Sequence, residues 1–204
     1  MSCLLLEGSL PDSIDGVPIY PDYRNMIRFE QILEDDTLTD EQKTLLAAAQ
    51  LFDRLPPGGI ARAADRLQWF YSRGKAPDAG DKKGSQARAW DLAADAGCIY
   101  AAFLQAYGID LVRVPFLHWW AFLELLENLP EQTLMAQKMQ LRTMDLSEIK
   151  DAKLRERYKK LQRQAALPPR RGRKDNAAET LAQRVQRRHA EAKQQLERRK
   201  ANGV

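Results

Sequence analysis

The stretch Tyr107–Pro130, "YGIDLVRVPFLHWWAFLELLENLP", combines dense apolar residues with two prolines. Pro115 suits the first position of a helix, where its missing N–H is not needed, and Pro130 stops a helix that ends at Asn128. The predicted helix is apolar around nearly its whole circumference, which is typical of a helix buried on more than one side. Its apolar residues are Phe116, Leu117, Trp119, Trp120, Phe122, Leu123, Leu125 and Leu126. The stretch therefore predicts the central helix of a bundle.

Helix signals recur on the N-terminal side of this stretch. Asp22 precedes a helical repeat of apolar residues and is placed to cap it. Thr39 and Gln42 have the spacing of a capping box, in which each side chain binds a free backbone amide of the first turn. The predicted buried stripe of this second helix is Leu45, Ala49 and Phe52.

Turn and cap signals divide the rest of the chain. The "PPGG" at Pro56–Gly59 ends the second helix, Gly108 ends a later one, and "IDLVRV" reads as a brief extended connector. Pro130 is placed to open another helix, and "DLSE" at Asp145–Glu148 resembles a further cap. The fold class predicted is all-α: a single helical bundle of about six helices, with a short irregular or hairpin N-terminus and a basic C-terminal helical extension.

Charge separates the two ends of the chain. Residues 1–149 hold 14 Lys and Arg against 22 Asp and Glu, whereas residues 150–204 hold 18 against 6. The "LPPRRGR" at Leu167–Arg173 breaks the last strongly periodic helix. We therefore predict a helical domain over residues 1–167 and a basic tail over residues 168–204, partly helical or disordered, and a polar loop at Gly74–Gln86.

The composition favours an intracellular protein that does not enter a membrane. No apolar run approaches the roughly 18 residues that a membrane span requires, and "CLLL" at Cys3–Leu6 is too short for a signal peptide. Cys3 and Cys98 lack metal-binding or redox spacing, so we expect ordinary thiols.

Residues for catalysis are scarce. The two histidines are His118 and His189, and no common nucleophile, phosphate-loop or zinc-protease motif occurs. Asp91 and Asp95 stand four residues apart, a spacing that places two side chains on one face of a helix, but two carboxylates alone rarely hold a metal. We expect them to face solvent or nearby cations such as Arg88, and we expect His118 to be a helix-face or half-buried imidazole bonded to a backbone carbonyl. No enzyme activity, cofactor or metal is predicted.

The basic tail has three interpretations. It could remain solvated or dock on an acidic partner protein, which the lack of interleaved aromatic residues favours. It could instead neutralise nucleic-acid phosphates without reading sequence. The cations that would make either contact are Arg170, Arg171, Arg173, Lys174, Arg187 and Arg188.

The central motifs resemble a known family. "AWDLAADAGCIYAAFLQAYGIDL" from Ala89, "LHWWAFLELLENLPEQT" from Leu117 and "MQLRTMDL" from Met139 are similar to the bacteriophage gene-product-fifteen family, as is "PDYRNMIRF" from Pro21. The resemblance covers residues 20–167. The matching positions are Asp91, Asp95, Tyr100, Phe103, Tyr107, Gly108, Asp110, Leu111, His118, Trp119, Trp120 and Arg142, with Asp22, Tyr23 and Arg24 upstream.

The resemblance implies a non-enzymatic tail assembly chaperone. Such a protein binds the phage tape-measure protein until tail tube subunits polymerise around it, with the tube protein as a second candidate partner. It implies action in the host cytoplasm during assembly and absence from the mature virion. Two alternative functions stay open. One is a structural virion component, such as a tail or connector completion protein, and the other is a nucleic-acid-binding accessory protein. A homo-oligomer also stays open.

Overall fold

A computed structural model describes residues 10–74 and 88–168. The described residues divide between two compact units, 10–74 and 88–168. They contain seven α-helices, one short 3-10 helix and one two-stranded hairpin, which confirms the all-α class. No helix in the described part of the chain is long and apolar enough to span a membrane.

The first unit opens with a small hairpin. Strands β1 (Ser13–Ile14) and β2 (Val17–Pro18) pair antiparallel, with Ile14 opposite Val17. The two turn residues, Asp15 and Gly16, have φ of 51° and 76°. Both values belong to the tight turn that matches the strand twist. The hairpin form of the N-terminal prediction is therefore present.

Three helices follow in the first unit: α1 (Tyr23–Glu34), α2 (Asp40–Leu51) and α3 (Gly59–Tyr71). The predicted cap on α1 is confirmed, since Asp22 accepts a hydrogen bond from the Arg24 amide at 2.9 Å. The capping box at Thr39 and Gln42 is complete. Helix α2 packs against both α1 and α3.

The predicted stripe of α2 is wrong at two of its three positions. Leu45 is 58% exposed and Ala49 is exposed, whereas Phe52 is buried as expected. The face turned inward carries Lys43 and Thr44 beside Ala47, Ala48 and Leu51. These two polar residues are buried because each has a main-chain acceptor: Lys43 Nζ donates to the Leu33 carbonyl at 2.8 Å, and the Thr44 hydroxyl donates to the Asp40 carbonyl at 2.7 Å.

The second unit contains α4 (Ala96–Tyr107), α5 (Trp119–Glu127), α6 (Leu134–Thr143), the 3-10 helix Leu146–Glu148 and α7 (Ala152–Ala165). Gly108 ends α4 with φ of 66°, as predicted. The "DLSE" cap is also confirmed, because Asp145 accepts from the Ser147 amide at 2.8 Å. Helix α4 packs against α5 and α6, and α7 packs against α6.

Two predicted helix starts in this unit are wrong. The helix expected at Pro115 begins four residues later, at Trp119, and the helix expected to open at Pro130 begins at Leu134 with Thr133 as its cap. Residues 111–113 form turns in place of the expected extended connector. In both helices a residue closer to the helical run binds the free amides of the first turn and so fixes the start.

An aromatic stack lies at the centre of the second unit. The Trp119 and Phe122 rings stack at 5.6 Å between centroids, and Phe122 stacks on Phe103 of α4 at 5.1 Å. Trp119 and Phe103 are fully buried. An apolar central helix is therefore present within this unit, but α5 is shorter than the predicted helix from Pro115 to Asn128.

Candidate functional site

The family-motif carboxylate Asp95 is buried against Arg142. Asp95 is 2% exposed and Arg142 is 6% exposed. The guanidinium donates to both carboxylate oxygens, Nη1 to Oδ2 at 2.6 Å and Nη2 to Oδ1 at 2.9 Å. Arg142 also donates to the carbonyls of Ala89 at 3.0 Å and Ala165 at 2.6 Å. One arginine of α6 thereby joins the start of α4 to the end of α7.

The electrostatic surroundings keep Asp95 ionised. Burial by itself raises its pKa, but hydrogen bonds from Arg142 and the Asp91 amide, with the charges of Arg142 and Lys138, outweigh burial and lower the pKa below 3.8. Lys138 Nζ lies 3.8 Å from Asp95 Oδ1. A carboxylate held this way is a structural anion and not a proton donor or acceptor near neutral pH.

Asp91 performs a capping role next to this pair. Its Oδ1 accepts from the amides of Ala93 and Ala94 at 3.0 and 2.8 Å, and its Oδ2 pairs with Arg88 at 2.7 Å. The predicted contact with Arg88 is therefore present at Asp91, and Asp95 faces the cations Arg142 and Lys138, the second of the two expected surroundings, and not solvent. Among the described residues no group of three potential metal-ligating side chains occurs.

Tyr107 links the end of α4 to the end of α5. The Tyr107 hydroxyl lies 2.8 Å from the Leu125 carbonyl and 3.1 Å from the Asn128 carbonyl. Burial raises the pKa of this phenol, so the proton that bonds these carbonyls is retained near neutral pH. Tyr107 thus satisfies carbonyls that the last turn of α5 leaves without an intrahelical donor.

His118 is the N-cap of α5. Its Nδ1 accepts a hydrogen bond from the Trp120 amide at 3.0 Å, and its side chain is buried. In this bond the ring accepts from a backbone amide, whereas the predicted bond to a backbone carbonyl would use the other ring nitrogen as donor. Accepting through Nδ1 requires the neutral tautomer protonated on Nε2. Trp119 and Trp120, which follow directly, are 0% and 5% exposed.

Of the remaining motif positions, Tyr100 is half-buried on α4 and Asp110 organises the chain after it. Asp110 Oδ1 accepts from the amides of Val112 and Arg113 at 2.9 and 3.2 Å. Its carbonyl accepts from the Val114 amide at 2.8 Å. The predicted basic-tail contacts lie outside the described residues: Arg170, Arg171, Arg173, Lys174, Arg187 and Arg188.

The segment Gly108–Leu117, called the connector below, displays two large apolar side chains. Val112 is 78% exposed and Phe116 is 54% exposed, while Leu111 between them and α4 is buried. Asp110 and Leu111 thus hold the connector in place, and its tip exposes Val112 and Phe116 on either side of the charged Arg113. Sequence reasoning placed Phe116 inside the central helix and missed both residues. The signal that could have revealed them is the run from Gly108 to Pro115, which leaves little room for a helix before Trp119.

A comparison with known protein families matches residues 13–167 to the family described as Bacteriophage Gp15 protein. The chain belongs to the bacteriophage Gp15 family. The match spans both described units and ends at residue 167, just after the end of α7, close to the limits that the sequence motifs indicated. None of the curated proteins and none of the solved structures compared with the chain matches it. Membership supports a bacteriophage structural or assembly protein.

The family motif therefore serves mainly to build the second unit. Five motif residues form hydrogen bonds with backbone groups at or near helix ends, and the two tryptophans fill the core. The five are Asp91, Asp95, Tyr107, His118 and Arg142. The connector lies between two of these residues, Tyr107 and His118. Its exposed apolar side chains, Val112 and Phe116, therefore stand on a segment whose two ends are held by motif residues.

Proposed function

We propose that this protein is a non-enzymatic tail assembly chaperone that binds the phage tape-measure protein during tail morphogenesis. The observation that carries the proposal is the connector, where Val112 and Phe116 stand exposed on a segment that Asp110 and Leu111 keep ordered. Exposed apolar groups on an ordered backbone bind a partner with little loss of conformational entropy. Family membership supplies the phage context.

The chemistry of the connector suits an apolar stripe on a helical partner. Phe116 offers a large, flat anchor and Val112 a smaller neighbour, and interface energy commonly concentrates in a few such residues. A long helical protein exposes apolar stripes of this kind until it is enclosed by other subunits. Covering them would keep the tape measure soluble in the host cytoplasm until tube subunits assemble around it.

Co-expression with the tape-measure protein of the same phage tests the proposal. We expect the wild-type chain to raise the soluble yield of the tape measure and to co-purify with it. The double variant Val112→Ser/Phe116→Ser should bind about 30-fold more weakly, as expected for the loss of about 2 kcal/mol at an interface hot spot. Both side chains are exposed, so circular dichroism should show an unchanged fold.

A matched control separates the connector from general surface apolarity. Leu45 of α2 is 58% exposed, similar to Phe116, and lies in the other unit. Leu45→Ser should leave tape-measure binding unchanged. If Leu45→Ser weakens binding and the connector variant does not, the connector is not the docking site; if wild type neither solubilises nor binds the tape measure, the chaperone proposal is wrong.

The second candidate, a structural virion component, is favoured by the same family membership because it is also a morphogenesis role. The two differ in where the protein ends up. A chaperone should be absent from purified virions, whereas a tail or connector completion protein should be present in fixed copy number. Immunoblotting of gradient-purified particles against a known amount of the protein distinguishes them.

A further inference from the structure

Helix α7 carries an unusual density of cations for a described helix of this chain. Its 14 residues hold six Lys and Arg and the single acid Glu156. Five of these cations are exposed and form no ion pair with any residue in the described ranges. They are Lys153, Arg157, Lys159, Lys160 and Arg163.

Four of the five cations lie on the side of α7 that is turned away from α6, and Arg157 lies at the edge of that side. The half-buried residues Tyr158, Leu161 and Ala165 recur at three- and four-residue steps and mark the packed side. On this side Gln162 Nε2 donates to the carbonyls of Leu141 at 3.0 Å and Met144 at 3.1 Å. With a 100° step per residue, Lys153, Lys159, Lys160 and Arg163 fall about 110° or more from the centre of this packed side. Arg157 falls about 75° from it, next to Leu161.

The helix is fixed at both ends, so the cations are presented in a defined row. At the N-terminus Asp151 accepts from the amides of Lys153 at 2.7 Å and Leu154 at 3.1 Å. Near the C-terminus Arg142 donates to the Ala165 carbonyl. Lys153, Arg157 and Lys160 stand at i, i+4 and i+7 along about 10 Å of helix axis, the axial distance that about three phosphates of one nucleic-acid strand occupy.

The composition of this face distinguishes two kinds of anionic partner. Protein interfaces are depleted of lysine at their centre and use aromatic and other apolar anchors. The outward face of α7 has no aromatic or other apolar anchor. The exposed large apolar side chain of the helix is Leu154, and this residue lies on the side that packs against α6. A row of lysine and arginine without apolar anchors matches the phosphate backbone of a nucleic acid.

We propose that the outward face of α7 binds the phosphate backbone of double-stranded nucleic acid without reading its sequence. The proposal goes beyond the chaperone role and does not depend on it. Lys153, Arg157 and Lys160 contact successive phosphates, with Lys159 and Arg163 on the flank. Three such contacts alone make the dissociation constant rise about 40-fold between 50 and 200 mM salt, because each bound phosphate releases counterions.

Fluorescence anisotropy with the full chain and a labelled DNA duplex of about 20 base pairs measures this salt dependence directly. The variant Lys153→Gln/Arg157→Gln/Lys160→Gln should lower the slope of log affinity against log salt by about 3. The matched control Arg28→Gln/Arg54→Gln/Arg113→Gln removes the same charge from exposed positions outside α7 and should leave the slope unchanged.

Each other outcome overturns the assignment. Failure of the wild type to bind the duplex, an unchanged slope in the α7 variant, or an equal loss in both variants would show that α7 is not a phosphate-binding face. Poly-L-glutamate provides the last arm. If it displaces the duplex as well as unlabelled DNA does at equal charge concentration, the partner of α7 is an acidic protein and not a nucleic acid.

Discussion

Helices α5 and α7 of the same unit are stabilised in different ways. Helix α5 has nine residues and buries five of them, whereas α7 has 14 residues and buries none. Contacts of α7 with α6 include hydrogen bonds to main-chain carbonyls, from Gln162 and from Arg142. Apolar burial contributes more free energy per residue than a hydrogen bond exchanged with water. We therefore expect α5 to unfold only with the whole unit and α7 to open locally.

The largest expected effect comes from Trp119, the fully buried ring at the start of α5. Trp119→Ala leaves a cavity beside Phe122 and should lower the free energy of unfolding by about 3–5 kcal/mol. Urea unfolding followed by circular dichroism measures the change. The matched truncation on α7, Leu154→Ala, removes a side chain that is 41% exposed and should cost below about 1 kcal/mol. Similar losses in the two variants would contradict the contrast between the helices.

The next largest effect is expected at the buried ion pair between Asp95 and Arg142, whose arginine also bonds the carbonyls of Ala89 and Ala165. Asp95→Asn leaves the Arg142 guanidinium buried with an uncharged partner, so we expect a loss of about 3 kcal/mol at pH 7. Asn retains one acceptor oxygen, which keeps the loss at the lower end of the range for broken buried pairs. Arg142→Met, which removes the charge and keeps apolar bulk, should leave Asp95 unpaired and cost a comparable amount. A near-neutral Asp95→Asn would show that the pair does not stabilise the unit.

The pH dependence of that loss follows from the lowered pKa of Asp95. A carboxylate with a folded-state pKa below its unfolded value stabilises fully above the unfolded value and loses this contribution as pH falls through the folded one. The difference between wild type and Asp95→Asn should therefore be constant from pH 7 to about pH 5 and shrink below about pH 4. Urea midpoints across this range measure it, and a difference that grows on acidification would contradict the sign.

A smaller effect is expected at the cap of α5. His118→Ala removes the acceptor for the Trp120 amide and should cost about 1–2 kcal/mol, as for other N-cap losses. His118→Asn keeps an acceptor at the same position and should recover a large part of the loss. If both variants are equally destabilised, packing of the imidazole matters more than its hydrogen bond.

His118 also shows why some features could be predicted from the sequence and others could not. Local signals were sufficient at Asp22, at the Thr39–Gln42 box and at Gly108, because each involves residues close in the chain with strong preferences for that position. Histidine is not a preferred cap, so the nearby Pro115 gave the stronger signal and the start of α5 was misplaced. The misplaced start also put Phe116 in the predicted core, whereas in the structure this residue precedes α5 and is exposed.

Contacts between distant residues explain the other errors. Asp95 and Arg142 are 47 residues apart, so no spacing rule indicates that one buries the other. Lys43 is buried on α2 because the Leu33 carbonyl, on another helix, accepts its proton. Apolar periodicity could not detect this and placed Leu45 inside. The resemblance to the family singled out both Asp95 and Arg142, but only the structure shows that they form a pair.

The smallest effect on global stability is expected in α7 itself, at Gln162. Gln162→Ala removes hydrogen bonds to the Leu141 and Met144 carbonyls that stabilise the closed state of α7, each worth about 0.5–1.5 kcal/mol. Because α7 opens locally, the urea midpoint should hardly change while amide hydrogens of α7 exchange about tenfold faster, and those of α5 keep their rate. Gln164→Ala, on the exposed side of the same helix, provides the matched control and should leave both rates unchanged. If the Gln162→Ala variant changes the exchange rates of α5 and α7 equally, the two helices unfold together. The difference in how they are stabilised would then have no consequence for their dynamics.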